Sequence, residues 1–160
     1  MSTARLARIA YSLVVWLFAV AAIIQIYLAG TAITNLGGTG NFEQHRNVGY
    51  LIGVLGLILL VLSFAAKMPL RVVAASALLL GLVALQSVLV IFFKSQSNVA
   101  ALHPVNGFII VLLSVWIAWK TLGYIRAPLP VEPVEATPAP AATPAPRPTL
   151  DQQDEQEDRI

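Results

Sequence analysis

Four long apolar runs constrain this chain more than any other feature of its sequence. The first extends from Ile9 to Gly30, and three more follow before residue 126. About 20 helical residues, with a rise of about 1.5 Å each, cross a hydrocarbon core of ~30 Å. A mean hydropathy of +0.77 with only 11% charged residues is the balance of a membrane protein. The runs therefore predict four membrane spans, at about residues 9–30, 45–66, 72–93 and 102–125.

Short connections and a change of composition define the predicted organisation. Neighbouring spans joined by short loops must be antiparallel, which predicts an all-α membrane protein with an up-down-up-down four-helix transmembrane bundle over residues 1–126. From Ala127 onward the chain is rich in Pro and Ala, and it becomes acidic from Asp151 to Asp158. This composition predicts a disordered tail over residues 127–160, which we interpret as a solvated spacer.

Basic residues are distributed unevenly around the predicted spans. One side of the bundle carries most of them: Arg5, Arg8, Lys67, Arg71, Lys120 and Arg126. The other side carries Arg46 and Lys94. The positive-inside rule therefore predicts a protein of the cell membrane, surrounded by the lipid bilayer, with both termini in the cytoplasm. Because the basic residues are scattered singly and form no patch, no nucleic-acid partner is predicted.

A pattern of glutamine, loop, histidine and glycine occurs twice. Its members are Gln25, His45 and Gly49 in the first half of the chain, and Gln86, His103 and Gly107 in the second. In each half the histidine and glycine form H-x-x-x-G at the start of a span, so both residues lie on one face of the helix. Because the second and fourth spans run in the same direction, the two histidines are predicted at one depth, near the outer face.

Packing alone explains each residue of this pattern when it is taken singly. Small residues, including Gly53, Gly56 and Ser114 on the same stripe, let membrane helices approach closely. Glutamines can join helices by hydrogen bonds, and a histidine at the end of a span can reach the interface. Arg46, beside the first histidine, can extend its charged group to the interface in the same way.

The repetition favours a cofactor. A haem lodged in a helical bundle needs an axial ligand from each of two facing helices, and neutral imidazole is the usual nitrogen ligand. A glycine one turn deeper leaves room for the ring, and Arg46 could pair with a propionate. The absence of cysteine excludes covalent attachment, so haem b is the predicted cofactor. With both axial positions filled by His45 and His103, electron transfer, sensing or haem handling is favoured over catalysis, with a quinone or another redox protein as partner.

These residues resemble a known family. The stretch from Leu85-Gln86 to His103, together with His45-Arg46, is similar to one four-helix half of haem A synthase, and the chain resembles small uncharacterised bacterial four-span proteins with a double H-x-x-x-G pattern. The resemblance implies haem held by histidines of the second and fourth helices. The chain departs from haem A synthase in having four spans instead of eight, and Glu43 lies only two residues before His45, so no catalytic activity is carried over. A homodimer would rebuild an eight-helix assembly.

Two functional interpretations stay open at the level of sequence. The first is an integral membrane haem protein, and the second is a cofactor-free scaffold or assembly factor with an interacting cytoplasmic tail. A proton-coupled transporter is disfavoured because no acidic residue lies within a span. The haem interpretation depends on where the fourth helix begins. Asn41 is predicted to cap the second helix and Asn98 the fourth. A start at Asn98 would let Pro104 kink the fourth helix, whereas a start at Pro104 would leave His103 as a cap residue that points away.

Overall fold

The protein is all-helical over residues 3–93 and 95–126, the part of the chain that our computed structural model describes. Its helices are α1 (Thr3–Ala32), α2 (Glu43–Ala65), α3 (Leu70–Phe93), the short α4 (Ser97–Ala100) and α5 (Leu102–Arg126), with a 3-10 turn at Thr34–Leu36. Helices α1, α2, α3 and α5 are long and apolar enough to cross a membrane, which makes this a multi-pass membrane protein. The predicted fold class is confirmed. The predicted tail, 127–160, lies outside the described residues.

The four long helices form a bundle with one helix at each corner. Helix α1 packs against α2 and α5, and α3 packs against the same two helices. Helices α2 and α5 therefore lie at opposite corners, as do α1 and α3. We call the end of the bundle that contains His45 and His103 the histidine end, and the end that contains Arg8 and Arg71 the arginine end.

Helix α1 begins earlier than its apolar run, at Thr3 instead of near Ile9. The cause lies in Arg8, which is buried in the first turns of the helix. Its Nε donates to the backbone oxygen of Ala66 at 3.2 Å, and its Nη1 donates to that of Tyr124 at 3.1 Å. These oxygens lie at the carboxyl ends of α2 and α5, where a cation is stabilised by the helix dipoles. The residues before Ile9, from Thr3 onward, are thus part of the bundle.

The glycine-rich loop after α1 folds back onto the end of that helix. The backbone N–H groups of Thr39 and Gly40 donate to the last two residues of α1 at 3.0 and 2.9 Å, and that of Gly38 donates to the next residue, Ile33, at 2.9 Å. A side chain at Gly38 would place its Cβ 2.5 Å from the backbone oxygen of Thr31, so this position requires glycine. The loop is therefore an ordered cap that satisfies the carbonyl groups of α1.

The turn between α2 and α3 is a Schellman motif. Lys67 adopts a left-handed conformation with φ 48°, its N–H donates to Phe64, and the N–H of Met68 donates to Ser63. Pro69 directly precedes α3, and its backbone oxygen accepts the N–H groups of Val72 and Val73. The turn is thus formed by regular end-capping bonds.

The amino-terminal ends of α2 and α5 differ from the predicted capping pattern. Asn41 accepts the N–H of Glu43 through Oδ1 at 2.8 Å, but Phe42 occupies the cap position and makes no side-chain cap bond. Asn98, predicted to cap the fourth helix, lies instead inside α4. A break at Ala101 separates α4 from α5, and α5 starts at Leu102. The fourth span is thus entered through a separate short helix.

The apolar core fills the middle of the bundle and its arginine end. Its largest fully buried side chains come from all four long helices and include Tyr11, Phe18, Leu59, Leu79 and Ile117. At the histidine end burial is lower: α1 has no buried residue from Ile23 to Thr31, and the first buried residue of α2 is Ile52. Exposed aromatic residues near both ends, such as Tyr27, Tyr50 and Trp119, suit the two membrane interfaces.

Candidate functional site

The first predicted histidine, His45, is held by α1. Its Nδ1 lies 3.1 Å from the backbone oxygen of Gln25. The side chain of Gln25 in turn donates from Nε2 to the backbone oxygen of His45 at 2.7 Å. The ring of Phe42 lies edge-on to the imidazole, with centroids 6.1 Å apart. The half-buried imidazole of His45 is therefore fixed between the end of α1 and the start of its own helix.

The second histidine, His103, is held by α3 in the same manner. Its Nδ1 lies 3.3 Å from the backbone oxygen of Gln86. Since α5 starts at Leu102, His103 and Pro104 are in the first turn of the helix. Pro104 lacks an N–H where no intrahelical partner exists in any case, so it neither breaks nor kinks α5. His103 is thus part of α5, unlike either arrangement considered from the sequence.

The two imidazole rings meet across the bundle. Their centroids are 6.1 Å apart and their planes are inclined by 57°. The rings come from α2 and α5, which lie at opposite corners, so together they span the centre of the histidine end. The sequence pattern indicated that the histidines share a depth, and the structure brings them within contact distance.

Hydrogen bonding fixes the tautomer of each histidine. A backbone carbonyl oxygen only accepts, so the Nδ1 atoms that face Gln25 and Gln86 carry the proton. In a neutral imidazole the remaining ring nitrogen, Nε2, then keeps its lone pair. A backbone carbonyl on Nδ1–H is the usual arrangement behind a metal-ligating histidine, since it orients the ring and raises the basicity of the ligand nitrogen.

The glycines of the two patterns provide space for the glutamine side chains. A Cβ at Gly49 would lie 3.2 Å from Nε2 of Gln25, and a Cβ at Gly107 would lie 3.2 Å from Nε2 of Gln86. Sequence reasoning missed this role, although the repeated order of glutamine, histidine and glycine contained the signal. Clearance for a ring plane, the role expected of these glycines, stays a prediction.

The two halves of the site differ in how the glutamine oxygen is satisfied. In the second half, Nδ2 of Asn106 donates to Oε1 of Gln86 at 2.7 Å and also to the backbone oxygen of Leu82 at 2.8 Å. The equivalent residue of the first half is Val48, which has no donor. Oε1 of Gln25 is accordingly buried without a hydrogen-bond partner among the described residues. Asn106 was not identified as a site residue from the sequence, although it lies between His103 and Gly107 in the second H-x-x-x-G pattern.

The other residues on the predicted stripe have packing roles. A Cβ at Gly56 would lie 3.3 Å from Leu80, so this glycine lets α2 and α3 approach closely. Ser114 is fully buried and donates to the backbone oxygen of Val111. A Cβ at Gly53 would meet no atom within 4 Å. Arg46 is exposed at the histidine end, where both of its predicted roles stay open.

The centre offers two imidazole nitrogens as possible ligands. Within the described residues, no group of three or more His, Asp, Glu or Cys side chains is placed to hold a bare metal ion. Two imidazoles are too few for a tetrahedral site, which takes four ligands. They are the number that haem needs, because the macrocycle occupies the remaining positions.

The fold and the paired histidines together define a four-helix membrane protein with a two-imidazole centre. Over residues 25–93 the chain is similar to a family of unknown function, DUF6220. This segment starts at Gln25 and includes His45 and Gln86, whereas His103 follows it. No curated protein and no solved structure matches the chain.

Proposed function

We propose that this protein binds haem b between His45 and His103. The observation that carries the proposal is the 6.1 Å separation of the two ring centroids. If both imidazoles bonded one metal ion at about 2 Å, their ring centres would be separated by about 6 Å or less. The observed spacing therefore supports joint ligation of one iron by His45 and His103.

The roles of the surrounding residues follow from their bonds. Haem, when bound, supplies reversible one-electron transfer. His45 and His103 would hold it through Nε2, while the backbone oxygens of Gln25 and Gln86 keep the rings oriented through Nδ1–H. Arg46 would pair with a propionate at the exposed end of the bundle. With His45 and His103 both holding the haem, no position would be left for a substrate, so the proposed role is electron transfer or haem handling.

Orientation and partners complete the proposal. The excess of Lys and Arg at the arginine end supports a cell-membrane topology in which both termini are cytoplasmic and the histidine end faces outward. A quinone or an extracytoplasmic electron carrier is then the expected redox partner. The resemblance to one half of haem A synthase stays a prediction from the sequence, since the family that matches the chain has no known function. A homodimer would supply a second four-helix unit.

The second candidate is a cofactor-free membrane scaffold or assembly factor that interacts through its cytoplasmic tail. The observation that favours it is the packing of the Gln25 and Gln86 amides against Gly49 and Gly107. Interhelical hydrogen bonds and small residues at helix contacts stabilise membrane bundles without any ligand. In this case the histidines would serve only to join neighbouring helices.

Absorption and electron paramagnetic resonance spectra of the purified protein distinguish the two candidates. The full chain is produced with ample haem, extracted in detergent and assayed for haem b by the pyridine haemochrome method. We expect about one low-spin, six-coordinate haem b per chain. The variants His45→Ala and His103→Ala should each lose the low-spin signal, because each removes one axial ligand.

A matched control is Tyr50→Phe, which changes an exposed residue of α2 and should keep the low-spin spectrum. Circular dichroism must show that the histidine variants retain their helices. A colourless wild-type protein, or a low-spin haem that persists in both histidine variants, would contradict the proposal. The scaffold candidate predicts a colourless and stable protein in every case.

A further inference from the structure

A cleft at the arginine end has the chemistry of an anion site. It has a volume of about 190 Å³ and is lined by Arg71, Val72, Trp116, Lys120 and Tyr124. The cleft lies between α3 and α5, on the opposite end of the bundle from the histidines. From these residues we infer a binding site for the phosphodiester headgroup of an anionic membrane lipid.

The polar side chains that line the cleft carry hydrogen-bond donors. Tyr124 accepts two bonds from Arg71, one from Nε at 3.1 Å and one from Nη2 at 2.7 Å. A guanidinium has five N–H donors, so three remain after these two bonds. The Tyr124 hydroxyl accepts from Arg71 and therefore has its own proton to donate. Lys120 adds an ammonium and Trp116 an indole N–H to the lining, so the cleft offers several donors suited to phosphate oxygens.

The charge around the cleft also suits an anion. Glu43 is the only acidic residue in 3–93 and 95–126, and it starts α2 at the histidine end. No carboxylate in this part of the chain therefore neutralises Arg71 or Lys120. The guanidinium of Arg71 lies over the Tyr124 ring, 5.9 Å from its centroid, so the ring and the hydroxyl both hold it in the lining of the cleft.

The position of the cleft favours a membrane lipid over a soluble anion as the source of the phosphate. It lies at the ends of two membrane spans, next to Leu70 and Trp119, which are 81% and 69% exposed. Exposed apolar and aromatic side chains beside basic ones are what the headgroup region of a bilayer contacts. Basic pockets between transmembrane helices are known places for anionic headgroups. Acyl chains could run down the apolar faces of α3 and α5.

Quenching of Trp116 fluorescence by brominated lipids tests this site. In the full chain, Trp16→Phe and Trp119→Phe leave Trp116 as the single reporter. Bilayers then contain either brominated phosphatidylglycerol or brominated phosphatidylcholine. We expect the anionic lipid to be preferred, and the preference to fall about fivefold for each of Arg71→Gln and Lys120→Gln. Arg5→Gln removes a charge at the same end but outside the cleft, and should leave the preference unchanged.

Three outcomes would overturn the inference. One is equal quenching by the two lipids, and another is a preference that survives in both cleft variants. The third is loss of the preference on addition of inorganic phosphate, which would indicate a site for a soluble anion. Lys120→Gln, whose side chain makes no bond to Tyr124 among those described above, keeps the test valid if Arg71→Gln disturbs the helix ends.

The acidic tail is the competing occupant within the chain. A variant with Asp151, Asp154, Glu155, Glu157 and Asp158 changed to their amides should show the same lipid preference. A preference that appears only in this variant would show that the tail fills the cleft, and would overturn the lipid assignment.

Discussion

The two halves of this bundle, α1–α2 and α3–α5, start from the same sequence pattern and reach nearly the same local structure. In each half, Nδ1 of the histidine faces the backbone oxygen of a glutamine on the preceding long helix. In each half, a Cβ on the glycine would lie 3.2 Å from the amide nitrogen of that glutamine. The repeat therefore encodes a three-residue contact, and two copies of it bring the imidazoles together.

The halves differ at positions outside the shared pattern. Asn106 satisfies the amide oxygen of Gln86, but Val48 leaves that of Gln25 without a donor from the described residues. At the other end, Arg8 of α1 is buried, whereas Arg71 of α3 is exposed. The repeated residues therefore set the geometry of the centre. The unrepeated ones are expected to make the two halves contribute unequally to the free energy of unfolding.

The largest difference between the halves should appear when each arginine is removed. Arg8→Ala should lower the free energy of unfolding by about 3 kcal/mol, because two bonds from a charged, buried group to helix-terminal carbonyls are lost. Arg71→Ala should cost about 0.5 kcal/mol, since its bonds to Tyr124 are exposed. Unfolding in mixed detergent and SDS micelles, followed by circular dichroism, measures both values. Equal losses would show that burial of Arg8 adds nothing.

The next effect concerns the glycines that the two halves share. Gly49→Leu and Gly107→Leu should each cost about 2 kcal/mol, because the new side chain displaces the glutamine amide. Each should also reduce haem binding if the proposed centre exists, since the histidines lose their support. Gly53→Leu is the matched control on α2, where a Cβ meets no atom within 4 Å. If all three variants lose the same free energy of unfolding, the contact between glycine and glutamine does not stabilise the packing of the helices within each half.

The fold could be predicted from the sequence because apolar run length determines it. Any helix of about 20 apolar residues satisfies its own backbone groups in a bilayer, and short loops then force antiparallel neighbours. The early start of α1 could not be predicted. It depends on bonds from Arg8 to Ala66 and Tyr124, residues far apart in the chain that only the tertiary fold brings together.

The candidate site was only partly accessible to sequence reasoning. The spacing of His45 and His103 within their runs indicated a shared depth, and the structure places the two rings in contact. The role of Pro104 could not be decided, because it depends on a helix break at Ala101 that no residue type signals. Asn106 was missed for a different reason: its bond to Gln86 requires the relative rotation of α3 and α5, which the pattern on either helix does not contain.

Removal of the Asn106 amide should leave the glutamine of the second half without a donor, as in the first half. Asn106→Val leaves Oε1 of Gln86 buried without its donor, so the free energy of unfolding should fall by about 1 kcal/mol. Asn47→Val makes the same chemical change at an exposed position of the first half and should have no measurable effect. The same SDS titration compares the two. If Asn106→Val is as stable as the wild type, Gln86 must find another donor. The bond from Asn106 would then not explain any difference in stability between the halves.

The smallest and most specific predicted effect is an increase in the free energy of unfolding. Val48→Asn places an amide where the first half lacks one, in the register that Asn106 has in the second half. The new Nδ2 should donate to Oε1 of Gln25 and raise the free energy of unfolding by about 0.6 kcal/mol, the average for a hydrogen bond between membrane helices. The gain should disappear when Gln25→Leu is added, because the acceptor is then gone. Val105→Asn, at an exposed position of α5, should give no gain in either background. If Val48→Asn destabilises the protein instead, the packing of the Val48 side chain against the core contributes more than the new bond. The first half would then be more stable without a donor at this position.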